Sequence, residues 1–375
     1  MTRNRRSFLK LAGAAGISLA GPDVLPSDAR SQDTAPVINK VTVDHAVATL
    51  EDGGKLATPF WRIGSGKDGP SLLLLAAQHG NEVQGVEVAR RLMEIFARHL
   101  KAGTVWLVPM ANLRAIRARR HSADLGPEQP GRFSKGHNLQ QAWPGDPQGN
   151  DTQRAAHALD RAVVRHCSHA VDLHCWNHFW AAETLAVTGH EPSGPLGEVT
   201  TTRFVSYRAW SPPGGKITSF SQLLYQRGAG AIAMELSGQF QVQERQVRIG
   251  VTSLVNVAKR LGMMPGEPEP IEGRRVERTA KNGHNVQAPC AGIFMPAQRK
   301  DQSATLIPDD HVEKGQLLGH IIRERDLVTV PVRAPVAGYL WQLGACHGVL
   351  CDASLPAQHP YAEEGETLAM IVECS

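Results

Sequence analysis

The sequence predicts an α/β domain built on a mostly parallel mixed sheet flanked by helices, followed by a smaller all-β, barrel-sandwich-like domain. Three observations carry this. An unbroken apolar run at residues 72–77 gives way to a helical pattern over residues 83–99. A short run of that kind reads as a buried strand, and Val83, Val86, Val88, Leu92, Ile95 and Phe96 mark one apolar helix face. Strand-like and helix-like stretches then alternate as far as residue 261, the pattern of βα units on a parallel sheet. After a Gly- and Pro-rich segment at 262–270, the pattern becomes all-β and repeats internally.

Before these elements lies an export signal. Arg5-Arg6-Ser7-Phe8-Leu9-Lys10 precedes an apolar run at 11–20 that is too short to span a bilayer. Paired arginines followed by Phe-Leu-Lys resemble a twin-arginine signal, with Asn4 where Ser or Thr is usual. Residues 1–32 are therefore expected to be a signal peptide, cleaved near Ser27-Asp28-Ala29, and the mature protein to be periplasmic or otherwise exported through the twin-arginine pathway. Four of the positive charges, Arg3, Arg5, Arg6 and Lys10, belong to this segment. With a net charge of only +4, the rest of the chain has no basic excess that would suggest nucleic-acid binding. No later segment is long and apolar enough for a membrane span. The six cysteines, Cys167, Cys175, Cys290, Cys346, Cys351 and Cys374, lack zinc-finger spacing and read as core or disulfide residues.

The elements follow in order. Residues 37–63 contain two alternating stretches joined by Glu51-Asp52-Gly53-Gly54, a pair of strands. The strand at 72–77 ends in Gln78-His79-Gly80-Asn81-Glu82, a turn in which Gly80 leaves the backbone room to bend. Residues 104–109 form another strand. Residues 110–150, rich in Arg, Gly, Pro and His, read as a long loop of the kind that carries function. A helix over 151–167, capped by Asp151, leads into a strand that ends at His174. Residues 183–188 and 230–236 read as strands, and 217–227 and 243–261 as helices. The expected division is 33–262 for a catalytic domain, 263–273 for a linker and 274–375 for the β domain.

In the β domain, Val286-Gln287-Ala288-Pro289-Cys290-Ala291-Gly292 recurs as Val332-Arg333-Ala334-Pro335-Val336-Ala337-Gly338. The halves resemble those of biotinyl- and lipoyl-type β-sandwiches. Such carriers are modified on a Lys between the halves, where this chain has Arg323-Glu324-Arg325-Asp326. A covering or oligomerising module is therefore expected rather than a swinging arm.

Three strand ends carry polar residues that a buried strand does not otherwise want: His79 with Glu82, His174, and Glu235. In a parallel sheet these ends share one edge, where ligands bind. A lone His-x-x-Glu is common by chance, but two His and a carboxylate with a fourth position left to water form a catalytic zinc set. Zinc activates water and polarises a carbonyl, and a further carboxylate can carry the proton to a leaving amine. Glu235 is the candidate for that base. Asp172 is a candidate partner for a ligand His. His166, His169 and His178 read as surface or pocket histidines. Trp143, Trp176, Phe179 and Trp180 are either core or an aromatic wall for an apolar acyl group. Cys175, next after His174, is expected to point away from the metal.

The order His79-Gly80-Asn81-Glu82, Asn112, Trp143-Pro144-Gly145, Asp172-Leu173-His174 and Glu235 resembles the succinylglutamate desuccinylase/aspartoacylase family across most of residues 65–260. The resemblance implies a zinc-carboxypeptidase-like fold and cleavage of an amide in a small acylated compound. It places one zinc on His79, Glu82 and His174, with Glu235 as general base. It also implies an Arg that polarises the scissile carbonyl. Arg132 has about the right spacing, and Arg119 and Arg120 compete with it. One departure stands out. Where the family has Asp-Leu-Asn-Arg, this chain has Asn138-Leu139-Gln140-Gln141. The family's Asn and Arg help hold a substrate carboxylate. Gln140 and Gln141, with Trp143 and Trp176 nearby, imply a substrate without a carboxylate there, unless Arg203, Arg208 or Lys216 supplies the charge. A cell-wall or other peptidase, and a non-catalytic zinc-stabilised binding protein, are the competing readings.

Overall fold

A computed structural model describes residues 38–123, 137–176, 181–189, 191–208, 217, 219–344 and 360–374. The expected signal segment, Arg132, Lys216, His178, Phe179, Trp180, Cys346 and Cys351 lie outside these residues, as does the side chain of Arg208.

The order of elements is β1 (Lys40–Thr49), β2 (Lys55–Gly64), β3 (Ser71–Ala76), α1 (Gln84–His99), β4 (Thr104–Val108), α2 (Leu113–Ala118), α3 (Asp151–Ala162), β5 (His169–Cys175), β6 (Thr184–Thr188), α4 (Gly194–Glu198), β7 (Phe204–Arg208), α5 (Phe220–Gln226), β8 (Gly230–Leu236), α6 (Glu244–Arg260) and β9 (Val276–Glu277). All nine strands form one sheet in the order β1-β2-β4-β3-β5-β8-β6-β7-β9. The centre, β4-β3-β5-β8, is parallel throughout. The β1–β2 hairpin joins it antiparallel. On the other side β6 runs antiparallel to β8, and β7 and β9 run parallel to β6. The C-terminal ends of β3, β5 and β8 therefore share one edge.

Strand alternation divides the core between two faces. Leu72, Leu74, Leu173 and Met234 pack with α1 and α6 through Val88, Leu92, Phe96 and Val257. Leu73, Leu75, Ala170 and Ala231 pack with α3 and α5 through Leu159, Phe220 and Leu224. This is why β3 is apolar at every position: both of its faces are covered. Each fully buried Leu contributes roughly 1.5–3 kcal/mol relative to exposure. In α1 the buried Val88, Leu92 and Phe96 follow helical spacing, while Glu87 in the first turn and Arg98 and His99 in the last favour the helix dipole.

The local structure departs from the sequence reading in several places. The cap of α3 is Asn150, in a capping box with Gln153. Asp151 is the first helical residue, and its carboxylate accepts the Glu51 N–H and pairs with Arg114. The helix stops at Ala162 and continues as a 3-10 turn, Val164–His166. The expected loop at 110–150 contains α2, capped by the Asn112 side chain on the Ala115 N–H and ended by Arg119 at φ 57°. Helix α4 and strand β7 were not anticipated either. All three are short, with too few turns or alternations to register as a period.

Past β9 the chain forms two four-stranded sheets. Strands β10 (Gly283–Gln287), β11 (Gly292–Pro296), β12 (His311–Val312) and β13 (Leu317–Arg323) are followed by β14 (Thr329–Arg333), β15 (Gly338–Leu343), β16 (Tyr361–Ala362) and β17 (Thr367–Val372). The sheets are β10-β17-β15-β12 and β14-β13-β11-β16. Exchanging the two sequence halves maps one sheet onto the other, so the repeat is structural. Gly292 and Gly338, equivalent in the repeat, both stand where a Cβ would meet a backbone oxygen, of Ile322 and Val372 respectively, at 2.2 and 2.4 Å. Arg323 pairs with Asp326 in the hairpin between the halves. Strand β9 lies beyond the expected 263–273 linker yet extends the large sheet, and residues from Ile38 onward form one compact unit.

Candidate metal centre

The ends of β3 and β5 bring the predicted ligands together. Ala77, just past β3, takes a left-handed φ of 53°, which turns the chain sharply into Gln78 and His79. Gly80 is needed for closeness: a Cβ there would lie 2.1 Å from the Ala115 carbonyl carbon in α2. His79, Glu82 and His174 are all buried, and each offers a ligand atom within 4.8 Å of the others. The Glu82 carboxylate faces both rings, with Oε1 2.8 Å from His79 Nδ1 and Oε2 2.9 Å from His174 Nδ1.

The far nitrogens are held as well. His79 Nε2 lies 3.1 Å from Asn138 Oδ1, and His174 Nε2 lies 3.0 Å from Asp172 Oδ2. Gln78 donates to the other Asp172 oxygen at 2.7 Å and accepts from the Trp143 indole at 2.7 Å. Partners of this kind fix ring orientation and tautomer. With each Nε2 facing an outward oxygen, both Nδ1 atoms face the Glu82 carboxylate, an arrangement that wants positive charge between them. Burial pushes the Glu82 carboxyl up, but His79 and His174 outweigh it and hold the group well below the usual carboxylate range. Burial disfavours a charged His174, yet Asp172 and Glu82 on either side raise its ring well above the ordinary value. Two carboxylates around two imidazoles suit a divalent cation, and the donor set of two ring nitrogens and a carboxylate fits one.

Glu235 is paired with His174 in the β5–β8 register, so both side chains stand on one face of the sheet. It is half-buried. Gln140, in the 3-10 turn Leu139–Gln141, comes within 3.5 Å of His174 Nε2, whereas Gln141 is exposed. Trp143 is buried at 3 % exposure between Gln78 and the Phe220 ring, inside the α3–α5 core. Trp176 packs against Trp341. Arg119 is exposed and Arg120 half-buried. Arg203 is engaged by Asp309 and the Arg274 carbonyl. Cys175 is buried in the α1–α6 core, on the face away from His174. His169 opens β5 at the opposite end from His174 and pairs with Ser168. Among the described cysteines, Cys167, Cys175, Cys290 and Cys374 are free thiols, and burial pushes Cys167 up to about 12.

Sequence reasoning missed four contributors. Gln78 links Asp172 to Trp143. His121 stacks on His79 at 3.8 Å. Asn81 donates to Gln239 at 2.8 Å, and Gln239 donates to Glu82 at 3.3 Å and to the Cys175 carbonyl at 3.1 Å. Only the polar character of the loop beside the His-x-x-Glu turn could have hinted at them.

A mixed sheet with a buried His-Glu-His cluster at the ends of its parallel strands, joined to a β-rich C-terminal region, defines an α/β fold with a candidate metal centre. The chain belongs to the succinylglutamate desuccinylase/aspartoacylase family, whose catalytic-domain model matches residues 68–259. It is 31 % identical over 107 residues to N-alpha-acetyl-L-2,4-diaminobutyric acid deacetylase of Halomonas elongata, a match covering 28 % of this chain and 29 % of that protein. Among solved structures, a succinylglutamate desuccinylase/aspartoacylase from Rhodobacter sphaeroides aligns over 92 % of this chain and 99 % of its own, with TM-score 0.63 and 21 % identity. A succinylglutamate desuccinylase from Silicibacter sp. aligns over 93 % and 100 %, with TM-score 0.65 and 19 % identity. The ectoine utilization protein EutE of Ruegeria pomeroyi, in a product-bound form, aligns over 90 % and 97 %, with TM-score 0.64 and 19 % identity. These likenesses cover the C-terminal β region as well as the large sheet. Family membership supports hydrolysis of an amide bond. No helix among the described residues is long and apolar enough to cross a membrane.

Proposed function

We propose that the protein is a zinc-dependent deacylase that cleaves the amide of a small acylated compound outside the cytoplasm. The observation that carries this is the pair of Nδ1 atoms converging on Glu82 while Asn138 and Asp172 hold the opposite nitrogens. His79, Glu82 and His174 would hold the metal, which when bound would acidify water and polarise the acyl carbonyl. Glu235, beside His174 in register, takes a proton from the attacking water as its oxygen bonds to the acyl carbon. The same carboxyl returns that proton to the amine nitrogen as the C–N bond breaks. Arg132 is the proposed partner of the carbonyl oxygen. The Halomonas relative, named as a deacetylase of an N-acetylated diamino acid, supports an acyl group carried on nitrogen.

The substrate class follows from Gln140 and Gln141. A neutral amide cannot grip a carboxylate as a bidentate guanidinium does, and Arg203 is already paired with Asp309. The absence of such a contact lowers affinity for a carboxylate by roughly a hundredfold. We therefore assign an acylated amine, amide or ester lacking a carboxylate at this position. Matched N-acyl amino acids, with the α-carboxylate free or amidated, test this. The amidated member is expected to have the higher kcat/KM. A much higher kcat/KM for the free acid, not improved further by Gln141→Arg, would show that the anchor sits elsewhere.

A further inference from the structure

We propose that the indole N–H of Trp176 is a substrate hydrogen-bond donor, held in place by Trp341 from the C-terminal β region. The inference rests on the deacylase reading and extends it to a residue that binds the acylated compound through an acceptor oxygen.

Trp176 follows β5 directly, and its N–H bonds to the Leu236 carbonyl at 2.9 Å, so the β5–β8 ladder continues through it. Alternation then puts Trp176 on the same face as Asp172 and His174. Its Nε1 is buried and has no hydrogen-bond partner among the described residues. A buried donor left without an acceptor is unfavourable and rare in folded proteins, and a ligand is one of the few things that accounts for it. Three indoles near the site show the contrast. Trp143 donates to Gln78, and Trp341 donates to Thr184 Oγ1 at 2.8 Å. Of the three, Trp176 alone ends in a donor with no acceptor among the described residues.

Trp341 explains how that unsatisfied group is kept in position. Its ring meets Trp176 edge-on, with centroids 5.1 Å apart at 84°. The Arg278 guanidinium covers the same Trp341 ring at 4.0 Å. The backbone beside it is pinned too, by the Ala182 N–H on the Trp341 carbonyl at 2.7 Å. Thr184, which takes the Trp341 N–H, lies opposite Glu235 in the β6–β8 register. The indole pair thus stands on the sheet face of the proposed base and the ligand His174: Trp176 is two residues beyond His174 on its strand, and Trp341 is bonded to Thr184, the register partner of Glu235.

The test separates binding from packing. Trp176→Phe keeps an aromatic ring and removes the donor. Binding of N-acetylated amines and amino-acid amides is measured by calorimetry in the Glu235→Gln background, and turnover with Glu235 intact. Affinity and kcat/KM are expected to fall about tenfold. Metal content should hold, and the ligand-free melting temperature should stay level or rise, because an unpaired buried donor has gone. Trp341→Leu should lower kcat/KM in the Trp176 protein but by less than about twofold in Trp176→Phe, since coupled residues are not additive. Equal binding by Trp176→Phe, or a melting temperature that falls along with the rate, overturns the proposal. Wild-type binding without turnover overturns the deacylase reading alone, and a wild-type protein that binds none of these compounds overturns both.

Discussion

At Glu82 one carboxylate serves two imidazoles, and the groups around it have separable duties. Removing either ring deletes a donor, whereas changing Glu235 leaves the donor set whole. His79→Ala and His174→Ala are therefore expected to lose stoichiometric metal by elemental analysis. Glu235→Gln should keep its metal while turnover falls by about a hundredfold or more, the usual scale of general-base loss. Metal retained in either His variant, or near-normal rates in Glu235→Gln, would sink the assignment. The cluster of three candidate donors was legible in the sequence because polar residues interrupted apolar strand ends. Their supports were not. Gln78 meets Asp172 across 94 residues, His79 meets Asn138 across 59, and Gln239 reaches Glu82 across 157. Contacts of that span are set by how the loops pack, and no local period encodes them.

Among the elements, the short helix α2 sets the shape of the turn that carries His79. Its backbone presses on Gly80, whose N–H bonds to the His121 carbonyl at 3.2 Å. The sequence showed a glycine in the candidate metal-binding turn and suggested a bend, but the α2 backbone that it must admit was hidden in a stretch read as loop. A Cβ at Gly80 would lie 2.4 Å from Ala115 oxygen and Ile116 nitrogen as well as near the carbonyl carbon. Backbone atoms cannot rotate away as a side chain can. Gly80→Ala is thus expected to destabilise the fold by about 1–3 kcal/mol, the range for overpacking a close contact. Metal affinity should weaken in parallel, because the shift falls one residue from His79. Thermal unfolding with and without added zinc measures both, and a variant matching wild type in each would show that α2 yields freely.

In the whole molecule, one row of the large sheet joins the site to the C-terminal region. His174, Glu235, Thr184, Phe204 and Val276 are consecutive register partners on one face. Trp341 and Val372 pack over the Phe204 and Val276 end of that row. Asp309 fastens the same seam, with Oδ1 2.5 Å from Arg203 Nε and Oδ2 2.7 Å from Arg245. The internal repeat of the β region was visible in the sequence, but its expected role as a cover could not show that Val276 and Trp341 complete a layer begun by β5. Deleting residues 270–375 strips β9 from the sheet, uncovers Phe204 and Ala182, and takes Asp309 from Arg203 and from Arg245, which keeps Glu183. The ligand residues are all retained, so metal binding should survive where the truncated chain folds. Its melting temperature should drop, apolar dye binding should rise, and kcat/KM should fall as Trp176 loses its neighbour. Asp309→Asn is the milder form of the same experiment and should cost about 1.5–3 kcal/mol, the scale of hydrogen bonds to charged groups. A truncated enzyme with unchanged kinetics, unchanged melting and the same oligomeric state by light scattering would show that this region neither completes the sheet face nor shapes the site.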